Sequence, residues 1–174
     1  MEEIKEIRLN QKILAHSEGV ARFMARYAQK HKNLGLDPYK MYILGLLHDI
    51  GKIVPSPNPT PNNPYKDHGR TGGLLIKDTG FQYWHEIYSH GHPEDGYYSV
   101  ALDILNYADL SVNSKGETVD IKDRVEDIGK RYGTESEEYK NAKKIYENLK
   151  KREIVEMIIH YKKETGNKET QKKD

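Results

Sequence analysis

Three ionisable side chains stand where a helical repeat calls for leucine. His16 falls in the series Ile13, His16, Val20, Met24, Tyr27, and Asp109 in the series Leu102, Leu105, Asp109, Val112, while His48 follows Met41, Leu44 and Leu47. Steps of three and four put each series on one stripe of a helix, the stripe that faces a core. A carboxylate buried there without a partner is costly enough that it takes up a proton or acquires a counter-ion. One cation shared by these residues, with Asp49 beside His48, satisfies all of them. Imidazole and carboxylate donors suit Fe, Mn, Co, Ni and Zn, and Mg where carboxylates predominate, so the donor set points to a divalent metal without selecting one.

The elements that must hold these residues are helices. The periodicity is helical almost throughout and no alternating run of β-branched residues predicts a strand, so the fold class is all-α. A first helix is predicted over 10–32. A second opens with Asp37 as N-cap and Pro38 in its first turn and ends at Gly51, which places His48 and Asp49 in its last turn. The segment IVPSPNPTPNNPY, residues 53–65, holds five of the seven prolines and reads as a long loop. Short helices follow over 68–77 and 81–89, GHPEDG forms a turn, and longer helices cover 98–112, 119–131 and 135–163, broken near Gly133. One domain over 1–164 and a polar tail over 165–174 are expected.

Composition narrows the classes of function. With 28 Lys and Arg against 27 Asp and Glu, the net charge of +1 provides no global field for nucleic acid or an anionic membrane, so any anionic substrate must be gripped locally. The absence of Cys removes disulfides, thiolate ligands and a Cys nucleophile together. The opening MEEIKEIRLN lacks the apolar run of a signal peptide, and no apolar stretch is long enough to span a membrane, so a cytoplasmic location is expected.

His16 near a helix start, LLHDIGK at 46–52 and NYADLS at 106–111, in that order, resemble the signature of the HD superfamily of metal-dependent phosphohydrolases. The resemblance runs from about residue 13 to 109. HDIGK in particular is similar to the subset containing HD-GYP cyclic-di-GMP phosphodiesterases, ribonuclease Y and diadenosine tetraphosphate hydrolases. It implies a helical bundle with a metal site between helices, ligated by His16, His48, Asp49 and Asp109. Members of this subset commonly add two histidines for a second ion. DHGRTGG at 67–73 and IYSHGH at 87–92 resemble the supplying segments, which implies His68 and His90 as ligands, with His92 as rival and His85 behind it. PEDGYYS at 93–99 only echoes the GYP motif, and ADLSVNSKGE lacks the continuation found in the diadenosine tetraphosphate hydrolases, so neither substrate carries over.

The resemblance implies one or two divalent ions that acidify water and polarise a phosphoryl oxygen. Asp49 is expected to bridge two ions or relay a proton, Lys52 to meet a phosphate oxygen as a point charge, Arg70 to add a bidentate contact and His92 to touch substrate. The expected activity is hydrolysis of a phosphoester or phosphoanhydride in a nucleotide or another small phosphorylated molecule. A dinucleotide or cyclic-dinucleotide phosphodiesterase and a non-catalytic metal-binding module are the alternatives. Tyr83, Tyr88, Tyr97, Tyr98 and Tyr107 are candidates for stacking on a base, with packing the commoner role. The loop after HDIGK is a connector or a lid, and Arg124, Asp127, Lys130 and Arg131 read as a solvated helical face.

Overall fold

The predicted periodicity becomes seven α-helices in the computed structural model, which describes residues 2–152, with side chains from residue 11 onward. They are α1 (Glu2–Lys30), α2 (Pro38–Leu47), α3 (His68–Ile76), α4 (Trp84–Ser89), α5 (Val100–Asp109), α6 (Ile121–Tyr132) and α7 (Glu137–Lys151). No strand forms among the described residues, only two isolated bridges, Thr60 with Asn63 and Val112 with Thr118. The all-α class read from the sequence is the observed one. None of the described helices is long and apolar enough to cross a membrane.

Short polar side chains start four of the helices. Asp37 accepts from the amides of Tyr39 and Lys40 at 2.8 and 3.0 Å, Ser99 from that of Leu102 at 3.0 Å, Asp120 from Lys122 at 2.8 Å and Ser136 from Tyr139 at 3.2 Å. Each satisfies an amide that the helix itself leaves unpaired, worth about 1 kcal/mol apiece. The stripes then pack together. Val20, Met24 and Tyr27 of α1 meet Met41 and Leu44 of α2, Ile104 and Leu105 of α5, and Ile87 of α4 in one core, which α6 and α7 complete with Val125, Ile145 and Leu149.

Most boundaries differ from the periodicity by up to three residues, and two differ by more. α1 begins well before residue 10, because EEIKEIRLN contains strong helix formers and no Gly or Pro to stop it. α2 ends at Leu47, four residues before Gly51, and His48 and Asp49 occupy a turn that leads into a 3₁₀ turn at Ile50–Ile53. Packing against α3 explains the early exit: a methyl on Gly51 would overlap the His68 carbonyl and the Gly72 amide. The proline-rich segment is irregular, and the expected ends of the last helix and of the polar tail lie outside the described residues.

The contact at Gly51 sets a stability test. Gly51→Ala is expected to lower unfolding free energy by about 1–3 kcal/mol through overpacking against backbone that has no room to yield. Urea denaturation measures this, and a change under about 0.5 kcal/mol would contradict the close approach.

Candidate metal centre

Six side chains converge from five helices. His16 comes from α1, His48 and Asp49 from the turn after α2, His68 from the first turn of α3, His90 from the residue that ends α4 and Asp109 from the last position of α5. His16, His48, Asp49 and His90 are buried, and His68 and Asp109 are partly open.

Backbone carbonyls orient the rings. Nδ1 of His48 lies 2.7 Å from the Gly45 carbonyl, Nδ1 of His68 3.1 Å from that of Tyr65, and Nδ1 of His90 2.6 Å from that of Ile87. In each pair the acceptor is three residues earlier, so the tether is local. His16 differs: its Nδ1 is 3.2 Å from the carbonyl of Asn113, a residue 97 positions away. A carbonyl only accepts, so each Nδ1 is assigned the proton, and each Nε2 of a neutral ring turns a lone pair inward.

Inside, donors are scarce. His48 Nε2 is shut off from solvent, has no hydrogen-bond partner, and lies 3.6 Å from both Asp49 Oδ2 and Asp109 Oδ1. His68 Nε2 and His90 Nε2 face each other at 3.1 Å, and His68 Nε2 is also 3.0 Å from Asp49 Oδ1. His16 Nε2 sits 2.9 Å from Asp109 Oδ1 and 3.9 Å from Asp49 Oδ2. Lys52 contributes an ammonium, 2.6 Å from Asp49 Oδ2. Neutral imidazoles cannot serve their carbonyls and this centre at once, which is the deficit a cation removes. The donor set fits one: His16–His48–Asp49, His48–His90–Asp109 and Asp49–His68–His90 each bring ligand atoms within 4.8 Å of one another.

Electrostatics follow the same geometry. Burial alone would raise both carboxyls, but Lys52, His48 and His68 hold Asp49, and His16 and His48 hold Asp109, well below the usual carboxylate range. Burial would lower His48, and the facing Asp49 and Asp109 outweigh it and raise its pKa. His68 is lowered by burial and by Lys52, while burial and the neighbouring His68 and His48 push His90 down to about 3. His90 is therefore a neutral ring throughout the physiological range.

The centre opens into a cavity of about 370 Å³, also lined by Lys52 and His92. His92 stands apart from the converging group, its Nδ1 2.9 Å from Glu94. Arg70 is not brought to the cavity wall: both ends of its guanidinium engage Asp95, and it stacks 4.5 Å over Tyr88. His85 packs between Trp84 and Tyr97. The tyrosines lining the cavity are Tyr65 and Tyr132, none of those singled out by position in the sequence. Sequence reasoning also missed Asn113 and Lys12, and it read Arg124 and Arg131 as part of a solvated helical face, whereas both line the cavity and Arg124 is largely sheltered. The two arginines are seven apart on one face of α6, but nothing local says which face meets a cavity.

The depressed His90 gives a pH prediction for metal-free protein. Between pH 6.5 and about 3 the unfolded chain binds a proton at His90 that the folded chain refuses, so stability falls as pH falls through that window. The contribution approaches about 1.4 kcal/mol per pH unit. His90→Asn, which retains a donor for the Ile87 carbonyl, is expected to flatten the decline between pH 6.5 and 4.5 in urea titrations with EDTA. Parallel wild-type and variant profiles would show that His90 titrates normally.

All six converging residues fall within residues 13–126, the segment matched by the family model for the HD domain. No curated protein and no solved structure matches the chain. A match over more than half the chain, laid on an all-α fold that gathers these histidines and aspartates, places it: the chain belongs to the HD domain family, within the superfamily of metal-dependent phosphohydrolases.

Proposed function

We propose that the chain hydrolyses a phosphoester or phosphoanhydride bond of a nucleotide or another small phosphorylated molecule, using one or two divalent ions held by His16, His48, Asp49, His68, His90 and Asp109. The observation that carries this reading is the unrelieved crowding of lone pairs: His68 Nε2 against His90 Nε2 at 3.1 Å, beside a buried His48 Nε2 with no partner. When bound, divalent ions supply Lewis-acid polarisation of a phosphoryl oxygen and water acidified toward neutrality.

The chain's own groups have distinct parts. Asp49 turns Oδ1 to His68 and Oδ2 toward His48 and His16, so its carboxylate suits a bridge between two sets of ligands. Its depressed pKa favours that role over accepting a proton. Lys52, at the mouth of the same group, is an ammonium that donates and never ligates a cation, so it suits a phosphoryl oxygen. Substrate contact by Arg70 requires breaking its pair with Asp95, which makes it a weaker participant than Lys52.

Reconstitution with Mn, Fe, Co, Ni or Zn, followed by elemental analysis and assay against bis(p-nitrophenyl) phosphate and a nucleotide panel, tests this. Wild type is expected to take up metal and hydrolyse, and His48→Ala or Asp49→Ala to lose both while staying helical by circular dichroism. Lys52→Ala is expected to keep the metal and lose about 10²-fold in kcat. Metal uptake without turnover of any substrate would leave a binding module, and no uptake at all would sink the proposal. Metal content also decides the number of ions: halving in His68→Ala and His90→Ala, with none in His92→Ala, identifies two, whereas undiminished content in all three identifies one.

A further inference from the structure

The cavity has a second charged wall, formed by α6 and the start of α1's described side chains, that the metal ligands do not explain. Arg124, Arg131 and Lys12 all line it. Arg124 Nη1 lies 3.3 Å and Arg131 Nη2 2.7 Å from the same oxygen, Asp127 Oδ2, which holds two guanidiniums side by side on one carboxylate. One negative charge between two positive ones leaves a positive excess. Lys12 adds to it, since it makes no ion pair among the described residues.

Arg124 is also under-satisfied. Its side chain is only 17% exposed, its Nε is closed to solvent and has no acceptor, and its bond to Asp127 is long. A guanidinium sheltered this far from water normally has its donors met. The other cations of the cavity are compensated: Lys66 pairs with Glu137 at 3.2 Å and Lys52 with Asp49 at 2.6 Å. Two further acids line that side, Asp67 and Glu138, and Glu138 accepts from Asn63 at 2.8 Å. Among the described residues, the cations of the cavity without a carboxylate of their own are thus Arg124 and Arg131, which share Asp127, and Lys12. This wall is continuous with the converging histidines and aspartates, because Arg124, Arg131 and Tyr132 line the same cavity as Lys52 and Asp49.

We propose that Arg124 and Arg131, assisted by Lys12, form an anchor for a second phosphate of the substrate, one that is not cleaved, so that the substrate class is a small molecule carrying two separate phosphate groups. The inference rests on the phosphohydrolase reading for where cleavage occurs, and on the cavity alone for the anchor. Paired guanidiniums suit the anchor because each presents planar, permanently charged donors to a phosphate. A monophosphate carries a group for one of the two walls only. A bisphosphate carries one for each, and the charge-assisted hydrogen bonds at the arginine wall are worth about ten- to a hundredfold in affinity.

Calorimetric titration of the full chain tests this, with adenosine 3′,5′-bisphosphate and adenosine 5′-monophosphate on Mn-reconstituted protein, and inorganic pyrophosphate on EDTA-treated protein. Wild type is expected to prefer the bisphosphate by tenfold or more, and Arg124→Gln and Arg131→Gln to bring that ratio near one with metal content unchanged. Pyrophosphate is expected to bind EDTA-treated wild type and to lose tenfold or more in either variant. Arg131 is half exposed, so its substitution leaves the fold intact even if Arg124→Gln does not, and thermal melts verify both. A wild-type ratio near one, an unchanged ratio in Arg131→Gln, or no pyrophosphate binding to the EDTA-treated wild type overturns the anchor. A chain that takes up no metal fails the phosphohydrolase reading instead, and the pyrophosphate arm still decides the anchor.

Discussion

Imidazoles that give Nδ1–H to backbone carbonyls turn bare lone pairs into a small buried volume, and two carboxylates already occupy its edge. Such an arrangement is stable only around positive charge. Among the described residues Lys52 meets part of that requirement at Asp49 Oδ2. The facing Nε2 atoms of His68 and His90 are left without a donor between them. The concentration of ligand atoms is thus a stress on the fold, and the surrounding structure is organised to withstand it.

Helix ends deliver the converging side chains and glycines let the ends meet. His48, Asp49, His68, His90 and Asp109 all sit at or next to a terminus, where a side chain can leave the helix surface and point along the axis. α3 lies against the turn that follows Asp49 because Gly51 and Gly72 present no side chains to each other, and against α4 because Gly73 admits Tyr88, whose Cβ would be 2.5 Å from any added Cβ. The buried Glu86, bonded by Tyr97 and Ser99 at 2.9 and 2.8 Å, ties α4 to the segment entering α5, which keeps His90 and Asp109 in fixed relation.

Much of this was legible in the sequence because it is local. The apolar stripes specify the helices, and the interruptions at His16, His48 and Asp109 mark the places where the stripes meet. His68 and His90 were found through the resemblance of their flanking segments, and the structure brings both to the same centre. What could not be read is non-local. Arg70 and Arg124 are equivalent by composition and helical setting. One has Asp95 within reach 25 residues on, and the other has only a shared Asp127 on its own helix, so they end with opposite roles at the cavity. Tyr65 and Tyr132 line the cavity through the path of a loop and the end of α6, neither of which periodicity describes.

The tether on His16 shows the cost of non-locality most plainly. Three of the four ring tethers return to a carbonyl three residues earlier, so they form with the local turn and survive small shifts between helices. His16 has no such neighbour and depends on Asn113, beyond the end of α5. That residue is held by a turn of its own: its Oδ1 accepts from the amides of Lys115 and Glu117 at 2.9 and 3.0 Å, and its Nδ2 donates to Glu117 at 2.9 Å. Gly116 completes the turn at φ +78, a conformation that disfavours a side chain, and comes so close to the Ala15 carbonyl that a methyl would overlap it. The 113–117 turn is thereby pressed on α1 one residue before His16. It fixes the ring's height and its tautomer together, so α1 cannot shift against the end of α5 without turning His16 away from Asp109.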